Sequence, residues 1–265
     1  MKRALIVLCF IAAPAAAEIN MADSVEWQTI DADVVVRGFV TAVTKSADGF
    51  TVTVQITESI KGGVKKSLQA NVHMPDAARW NKDHTDLLLF LDTDKKHGHV
   101  LRPIHGSDHS AFELGTHRAF TTSFGVLEKP TEVLAAVRTA ARSTATLSHK
   151  VDVPWDTPAM KALWGGSSVF MMVPVDHALE QLARGWIASK SVSDREEGAR
   201  ALALFRSDSN IAAMKSLLGD AGFSETSTNG GPTVKRYIVR VAAHEALESW
   251  HVAHKTPTLE EPLKK

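Results

Sequence analysis

The sequence has very little cysteine: its 265 residues include one, Cys9. Cys9 lies inside an apolar segment near the start of the chain, which we expect to be removed as a signal peptide. The mature chain would then have no disulfide, no thiolate nucleophile and no cysteine ligand for a metal. Packing alone would hold it together, and about 248 residues suffice for one large or two modest domains.

The sequence also lacks an excess of charge of either sign and a second long hydrophobic run. It contains 30 basic and 30 acidic residues. This balance excludes proteins that bind nucleic acids or anionic membranes through a large net charge, so we expect no nucleic-acid partner. After the first segment, no apolar run approaches the roughly 20 residues that span a bilayer, so we expect no membrane insertion after signal cleavage.

Residues 1–17 predict a signal peptide. Lys2 and Arg3 precede an apolar run at residues 4–13, and three alanines follow at 15–17. The apolar core is about ten residues, too short to cross a bilayer, and its cysteine does not follow a lipoprotein-type box. We expect cleavage after Ala17 and a periplasmic or secreted protein. A buried N-terminal helix is the alternative.

Sequence signatures of catalysis are missing. Residues 165–168 lack the second glycine of a G-x-S-x-G elbow, and neither phosphate-binding glycine motif occurs. His244-Glu245 does not complete H-E-x-x-H, because residue 248 is glutamate. The carboxylate pairs at 196–197 and 260–261 are expected on solvated faces. We therefore predict that the protein is not an enzyme.

The apolar pattern has a period of two up to about residue 125. Residues 50–57 alternate apolar and polar, which predicts a strand with one buried face. Residues 34–43, 68–74 and 87–91 are further strand candidates, and 99–103 and 111–114 are weaker ones. Several short strands at this spacing favour a small barrel or sandwich.

After residue 130 the pattern becomes helical. Pro130 suits the first helical position, and residues 167–173 predict one more buried strand. Four helices are predicted after that, the first three with Asp176, Ser193 and Asn210 as N-caps. A loop rich in Gly, Ser and Thr at 224–232 separates the last two helices and is expected to be mobile.

The strands resemble a known class of β domain. The segments that carry the resemblance are A-D-V-V-V-R-G at 32–38, residues 53–60 ending at Lys61-Gly62, and L-L-L-F-L at 87–91. They resemble the OB-like barrel of netrin-module and metalloproteinase-inhibitor (TIMP-like) domains. Such inhibitors bind a protease's zinc through a disulfide-held N-terminal cysteine. The mature chain here has no cysteine, so the resemblance implies the fold and not the inhibitory mechanism.

The helices resemble HEAT-type repeats over residues 176–252. Arg195, Ala199 and Leu202 recur in kind as a second set, and M-K-S-L-L-G-D at 214–220 precedes that set. The recurring residues are Arg240, Ala243 and Leu247. Such repeats stack helix pairs, with an Asp and an Arg bridging units. A plain helical bundle is the alternative.

Five of the twelve histidines lie between residues 97 and 117. A zinc site needs three or four ligands around one point, and the candidates are His97, His99, His105 and His109, with Asp108 as an added oxygen. The other interpretation is a series of β-hairpins whose histidines lie on turns and solvent faces.

These observations give an α+β multidomain prediction, a small OB-like β-barrel followed by an all-α HEAT-like helical hairpin module. The predicted segments are a signal peptide at 1–17, the barrel at 18–125, a connecting helix, linker and strand at 126–175, the helical module at 176–252 and a C-terminal tail at 253–265.

Two classes of function follow from this organisation. The leading one is an exported, non-catalytic binding or scaffolding protein of the cell envelope. It would use its barrel and helical surfaces for contacts with a ligand or with another envelope or extracellular protein, and it would need no cofactor. The alternative is a zinc-binding protein or metal-dependent hydrolase that uses the histidines of residues 97–117.

Overall fold

A computed structural model describes residues 19–46, 49–101, 110–154, 156–163, 168–227 and 233–263. The described strands are β1 (Ile19–Asp23), β2 (Val34–Ser46), β3 (Gly49–Lys61), β4 (Ser67–Val72), β5 (Asp86–Asp94), β6 (Gly98–Leu101), β7 (Ala111–Glu113), β8 (Ala119–Phe120), β9 (Val126–Leu127), β10 (Ser148–Asp152), β11 (Ser168–Pro174), β12 (Ser224–Thr226), β13 (Val234–Arg236) and β14 (Glu260–Pro262). The described helices are α1 (Val25–Asp31), α2 (Ala77–Asp83), α3 (Pro130–Ala140), α4 (Pro158–Leu163), α5 (His177–Ile187), α6 (Val192–Leu202), α7 (Asp208–Leu217) and α8 (Ile238–Ser249). Among the described residues, no helix combines the length and apolar character needed to cross a membrane.

Five strands close into a barrel. Around the ring they follow the order β2-β3-β4-β6-β5, and β5 pairs back onto β2. All neighbours are antiparallel except β4 and β6, which are parallel, and β7 adds to β5 outside the ring. This closed barrel, together with eight described helices, confirms the predicted α+β class and is consistent with an OB-like barrel.

Apolar side chains fill the barrel. On β3, Val52 and Val54 are fully buried, whereas Gln55 is exposed, so the alternation predicted for this segment is confirmed. Helix α2 lies between β4 and β5 in the chain and packs against β2 and β3. Its Trp80 is completely buried in the same apolar cluster.

Strand β5 is buried on both faces. Leu87, Leu89 and Leu91 point into the barrel cluster, while Leu88 and Phe90 belong to a second cluster outside it. That outer cluster contains apolar residues of α1 and α3. Burial on both sides explains why the segment is a continuous apolar run instead of an alternating one.

A second sheet joins the start of the described chain to its middle. It has the order β1-β11-β10, with β1 parallel and β10 antiparallel to β11. Residues 19–23, within the predicted barrel segment, therefore lie in the same sheet as the strand predicted near residues 167–173. This parallel pairing was not predicted, because a local sequence pattern does not determine which distant strand a segment pairs with.

The four helices predicted after residue 175 are present, but two of the predicted N-caps are wrong. Asp176 does accept hydrogen bonds from the first turn of α5. Helix α6 is capped by Ser191 instead of Ser193, and α7 by Ser207 instead of Asn210. Asn210 is fully buried and donates through Nδ2 to Glu180 and to the Phe205 carbonyl. Nearby polar residues fit the same capping pattern, and packing selects among them.

The segment predicted as a mobile loop contains strand structure. Ser224–Thr226 pairs with Val234–Arg236, and that strand also pairs with Glu260–Pro262. The predicted C-terminal tail thus contributes β14 to a small three-stranded sheet. Residues 228–232, at the centre of the predicted loop, lie outside the described residues.

Glu26 gives a prediction about pH. Burial raises the pKa of Glu26 above 4.5, although hydrogen bonds, including one of 3.0 Å from the Thr122 amide, act in the opposite direction. The folded state then binds the proton more tightly than the unfolded state, so the stability contributed by this group is present below about pH 4.5 and is lost as the pH rises through the folded-state pKa. Glu26→Gln, which keeps an acceptor for Thr122, should therefore raise the free energy of unfolding at neutral pH and change it less near pH 4. Urea titrations of both proteins at the two pH values test this. A variant that is destabilised at neutral pH would contradict it.

Candidate functional site

Where residues 51–55 of β3 pair with residues 67–71 of β4, the outer face of the barrel is polar and uncharged. Because β3 directs its valines into the barrel, the intervening residues face outwards. Each lies opposite a polar residue of β4 in the antiparallel register. The cross-strand pairs are Thr51 with Asn71, Thr53 with Gln69 and Gln55 with Ser67. We call these six residues the polar face.

A cleft of about 620 Å³ opens at the polar face. It is lined by four of the six residues together with residues from the β5–β6 turn, and its described lining contains no Lys, Arg, Asp or Glu. The Thr51 hydroxyl donates to Asn71 Oδ1 at 2.8 Å, and Asn71 Nδ2 donates to the His97 carbonyl at 2.8 Å. The cleft therefore offers oriented neutral hydrogen-bonding groups.

Two of the four histidines predicted as metal ligands lie in the described part of the chain, and both line this cleft. His97 is in the turn before β6, where its Nδ1 lies 2.9 Å from Asp94 Oδ1. The same Asp94 oxygen accepts hydrogen bonds from the amides of Lys96 and His97, which accounts for its position in the turn. His99 is on β6, and its Nδ1 is buried without a hydrogen-bond partner among the described residues.

The predicted zinc site of residues 97–117 stays a prediction. His105 and His109, with Asp108, lie outside the described residues. Within the described part, His97 and His99 do not belong to any group of three potential ligands that lie close together. The turn at residues 94–98 and the strand that follows agree with the hairpin interpretation of this part of the segment.

The structure brings together a different set of potential metal ligands, which sequence reasoning did not find. Nδ1 of His244 and Nε2 of His254 lie 2.7 Å apart, and Glu248 Oε1 lies 3.7 Å from the same His254 nitrogen. One ligand atom from each residue falls within 4.8 Å of the others. We call these three residues the α8 cluster. The i, i+4 spacing of His244 and Glu248 was visible in the sequence, but the position of His254 depends on the turn after the helix.

A second cavity, of about 510 Å³, lies between β10, α4 and α6. Its lining includes four carboxylates and an apolar part with Trp186 and Met160. The carboxylates are Asp152, Asp156, Asp194 and Glu197. Burial, followed by the charge of Glu197, raises the pKa of Asp152. This acidic lining suits a cation with an apolar part.

The prediction that residues 196 and 197 lie on a solvated face is not confirmed for either of them, because both side chains are partly buried. The Glu196 side chain is 21% exposed and pairs with Arg200 at 2.6 Å. The Glu197 side chain is 17% exposed, and its Oε1 lies 3.4 Å from His149 Nε2. The two residues are adjacent on α6 and so point in different directions around the helix.

Comparison with models of known protein families found no match, and no curated protein matched the chain either. The function is therefore inferred from the geometry of the barrel face and of the side-chain clusters.

Proposed function

We propose that this protein is an exported, non-catalytic binding protein of the cell envelope that holds a neutral, hydroxyl-rich ligand, such as an oligosaccharide, on its barrel. The observation that carries the proposal is the polar face, with its three cross-strand pairs of uncharged polar residues and the cleft beside it. OB-type barrels bind oligosaccharides and oligonucleotides on the face formed by their second and third strands. In this barrel those strands are β3 and β4.

The chemistry of the face favours a sugar over a nucleic acid. Single-stranded nucleic acids are bound by basic grooves that follow the phosphates and by aromatic rings that stack on bases. The described lining of the cleft contains no Lys or Arg and no Phe, Tyr or Trp. Threonine hydroxyls and side-chain amides both donate and accept hydrogen bonds, which matches the hydroxyl groups of a neutral sugar.

The proposal also covers the fold family of the barrel. We infer an OB-like barrel of the netrin-module or TIMP-like kind, because the ring order β2-β3-β4-β6-β5 and a helix between the third and fourth barrel strands agree with it.

Export is supported by the order of basic, apolar and small residues in residues 1–17. Cleavage after Ala17 would remove no described strand, since β1 begins at Ile19.

We infer a HEAT-like module for the helical part. Helix α5 packs against α6, α6 against α8, and α7 against α8. Arg195 makes two hydrogen bonds to the Asp220 carboxylate, and Arg240 donates to the Asp220 backbone carbonyl. An Asp and an Arg that bridge units are common in such repeats, and this contact supports the inference together with the recurrence of Arg195 as Arg240.

The test is a titration with an N-acetylglucosamine tetramer, followed by calorimetry or by amide chemical shifts. We expect saturable binding that is roughly 30-fold weaker in the double variant Thr53→Ala with Gln69→Ala, because each hydrogen bond contributes about 1 kcal/mol. The matched control is Thr139→Ala with Gln181→Ala, which removes the same side chains from exposed positions on α3 and α5. The control should bind as the unmodified protein does.

Three results would contradict the proposal. The first is no binding of the tetramer, and the second is equal binding by both double variants. The third is a preference for single-stranded DNA or for a sulfated polysaccharide, which would show that the face recognises charge.

A further inference from the structure

We propose that the α8 cluster binds one divalent transition metal ion, with Zn²⁺ as the probe, through His244 Nδ1, His254 Nε2 and a Glu248 carboxylate oxygen. This site is separate from the barrel and does not depend on the function proposed for the polar face. Two imidazoles and one carboxylate form a ligand set that suits zinc and its neighbours in the first row better than Ca²⁺ or Mg²⁺.

The helix provides two of the ligands on one side. His244 and Glu248 are four residues apart on α8, so their side chains lie one above the other along the helix. Glu248 is in the last turn, and its side chain is 66% exposed, so it is free to rotate towards an ion. The carbonyl groups at the end of a helix also favour a cation there.

The turn after α8 returns the third ligand to the helix. His251 has φ +55°, in the left-handed region, and the Val252 amide donates to the Leu247 carbonyl at 2.9 Å. This pattern is a Schellman turn, which reverses the chain at a helix end. Trp250 anchors the turn, because its Nε1 donates to the Ala203 carbonyl at 3.0 Å. His254 is thereby held over the last turns of the helix.

The ring of His254 is oriented as a metal ligand is. Its Nδ1 lies 2.8 Å from the Val252 carbonyl oxygen. Because a carbonyl oxygen only accepts, Nδ1 carries the proton, and in the neutral ring Nε2 presents its lone pair to His244. Histidines that bind metals characteristically donate their other N–H to a carbonyl or a carboxylate, which fixes the tautomer. The His254 side chain is 3% exposed, so this orientation is held by packing.

The distances need only small adjustments. In a tetrahedral site with zinc–nitrogen bonds of about 2.0–2.1 Å, neighbouring ligand atoms are about 3.3 Å apart. The two imidazole nitrogens, now at 2.7 Å, would separate by about 0.6 Å, and the glutamate oxygen, now at 3.7 Å, would approach by about 0.4 Å. Three protein ligands leave the fourth position to water or to an outside ligand.

The experiment is a zinc titration of the chelator-treated full-length protein, with stoichiometry from calorimetry and Tm from a melting curve. We expect one Zn²⁺ per chain, a rise in Tm of several degrees with excess zinc, and no such response to Ca²⁺. His244→Gln and His254→Gln should each weaken zinc binding at least tenfold. Cobalt(II) in place of zinc should give the visible absorption of a four-coordinate site, and both variants should lose it.

The control variants separate a metal site from a folding effect. Glu248→Gln changes an exposed side chain, so it should keep the Tm of the metal-free protein while weakening zinc binding. His251→Asn removes a neighbouring exposed imidazole and keeps a residue that tolerates positive φ, so it should bind zinc normally.

Three results would overturn the inference. They are the absence of stoichiometric zinc, zinc binding that persists unchanged in His244→Gln, and zinc binding that is lost when His97 and His99 are both replaced by Gln. The last result would place the metal at the barrel. The first would leave the contact between His244 and His254 as a hydrogen bond between two imidazoles.

Discussion

Replacing Trp80 with alanine should lower the free energy of unfolding by about 3–5 kcal/mol, the usual cost of removing a large aromatic side chain from a core. Trp80 is completely buried between α2 and the barrel strands. Its Nε1 donates to Glu113 Oε1 at 2.9 Å, and Arg79 donates to the same oxygen at 2.7 Å. The substitution would therefore open a cavity and remove a donor from a carboxylate whose side chain is only 4% exposed.

Trp80→Phe separates these two effects. It keeps most of the ring volume and removes the N–H group, so its cost should be clearly smaller than that of alanine. Urea unfolding followed by circular dichroism measures both variants. A loss below about 1 kcal/mol for the alanine variant would be typical of a surface position and would show that Trp80 is not in the core.

Replacing Asp220 with alanine should lower the free energy of unfolding by about 2–3 kcal/mol, because hydrogen bonds to charged groups are among the stronger ones. Arg195 Nε and Nη2 donate to the two carboxylate oxygens at 2.7 and 3.0 Å, and the Gly222 amide donates to one of them at 2.7 Å. The two charged side chains are only 16% and 11% exposed. Without Asp220, the Arg195 guanidinium loses its counterion and the segment after α7 loses its attachment to α6.

Asp220→Asn and pH test the electrostatic part of this effect. Burial acts to raise the pKa of Asp220, but the hydrogen bonds from Arg195 and Gly222 hold it below 3.8. The stability contributed by this ionised group is therefore present above about pH 3.8 and is lost as the pH falls through the folded-state pKa. The difference between the unmodified protein and the asparagine variant should shrink towards acid pH. Asp208→Ala, at an exposed position in the first turn of α7, is the control and should cost at most about 1 kcal/mol. An equal loss in both alanine variants would contradict the prediction.

The sequence by itself determined the elements whose signal is local. Alternation at residues 50–57 predicted a half-buried strand, and β3 has that pattern. Pro130 and Asp176 predicted the starts of α3 and α5, because proline at the first helical position and an aspartate cap act within a few residues. Where several polar residues lie close together, the predicted cap was wrong, because Ser191 caps α6 and Ser207 caps α7.

The candidate functional sites also combine features that the sequence predicts with features that depend on the tertiary structure. The uncharged residues of the polar face could be read from the alternation of β3, but their partners on β4 required the register. His97 and His99 were predicted as metal ligands because they are close in sequence. His244 and His254 are ten residues apart and come into contact through a turn with positive φ at His251. Spacing along the chain is a weak guide to the convergence of side chains when a turn lies between them.

Only the tertiary structure decided which distant segments pair. Three pairings join distant parts of the chain that carry similar apolar patterns. They are the antiparallel pairing of β2 with β5, which closes the barrel, and the parallel pairings of β4 with β6 and of β1 with β11. The apolar residues of a segment predict that the strand is buried, and the period of the pattern predicts which residues share a face. The partner is selected by the packing of all elements together, because the hydrophobic effect is non-directional and depends on the total area removed from water.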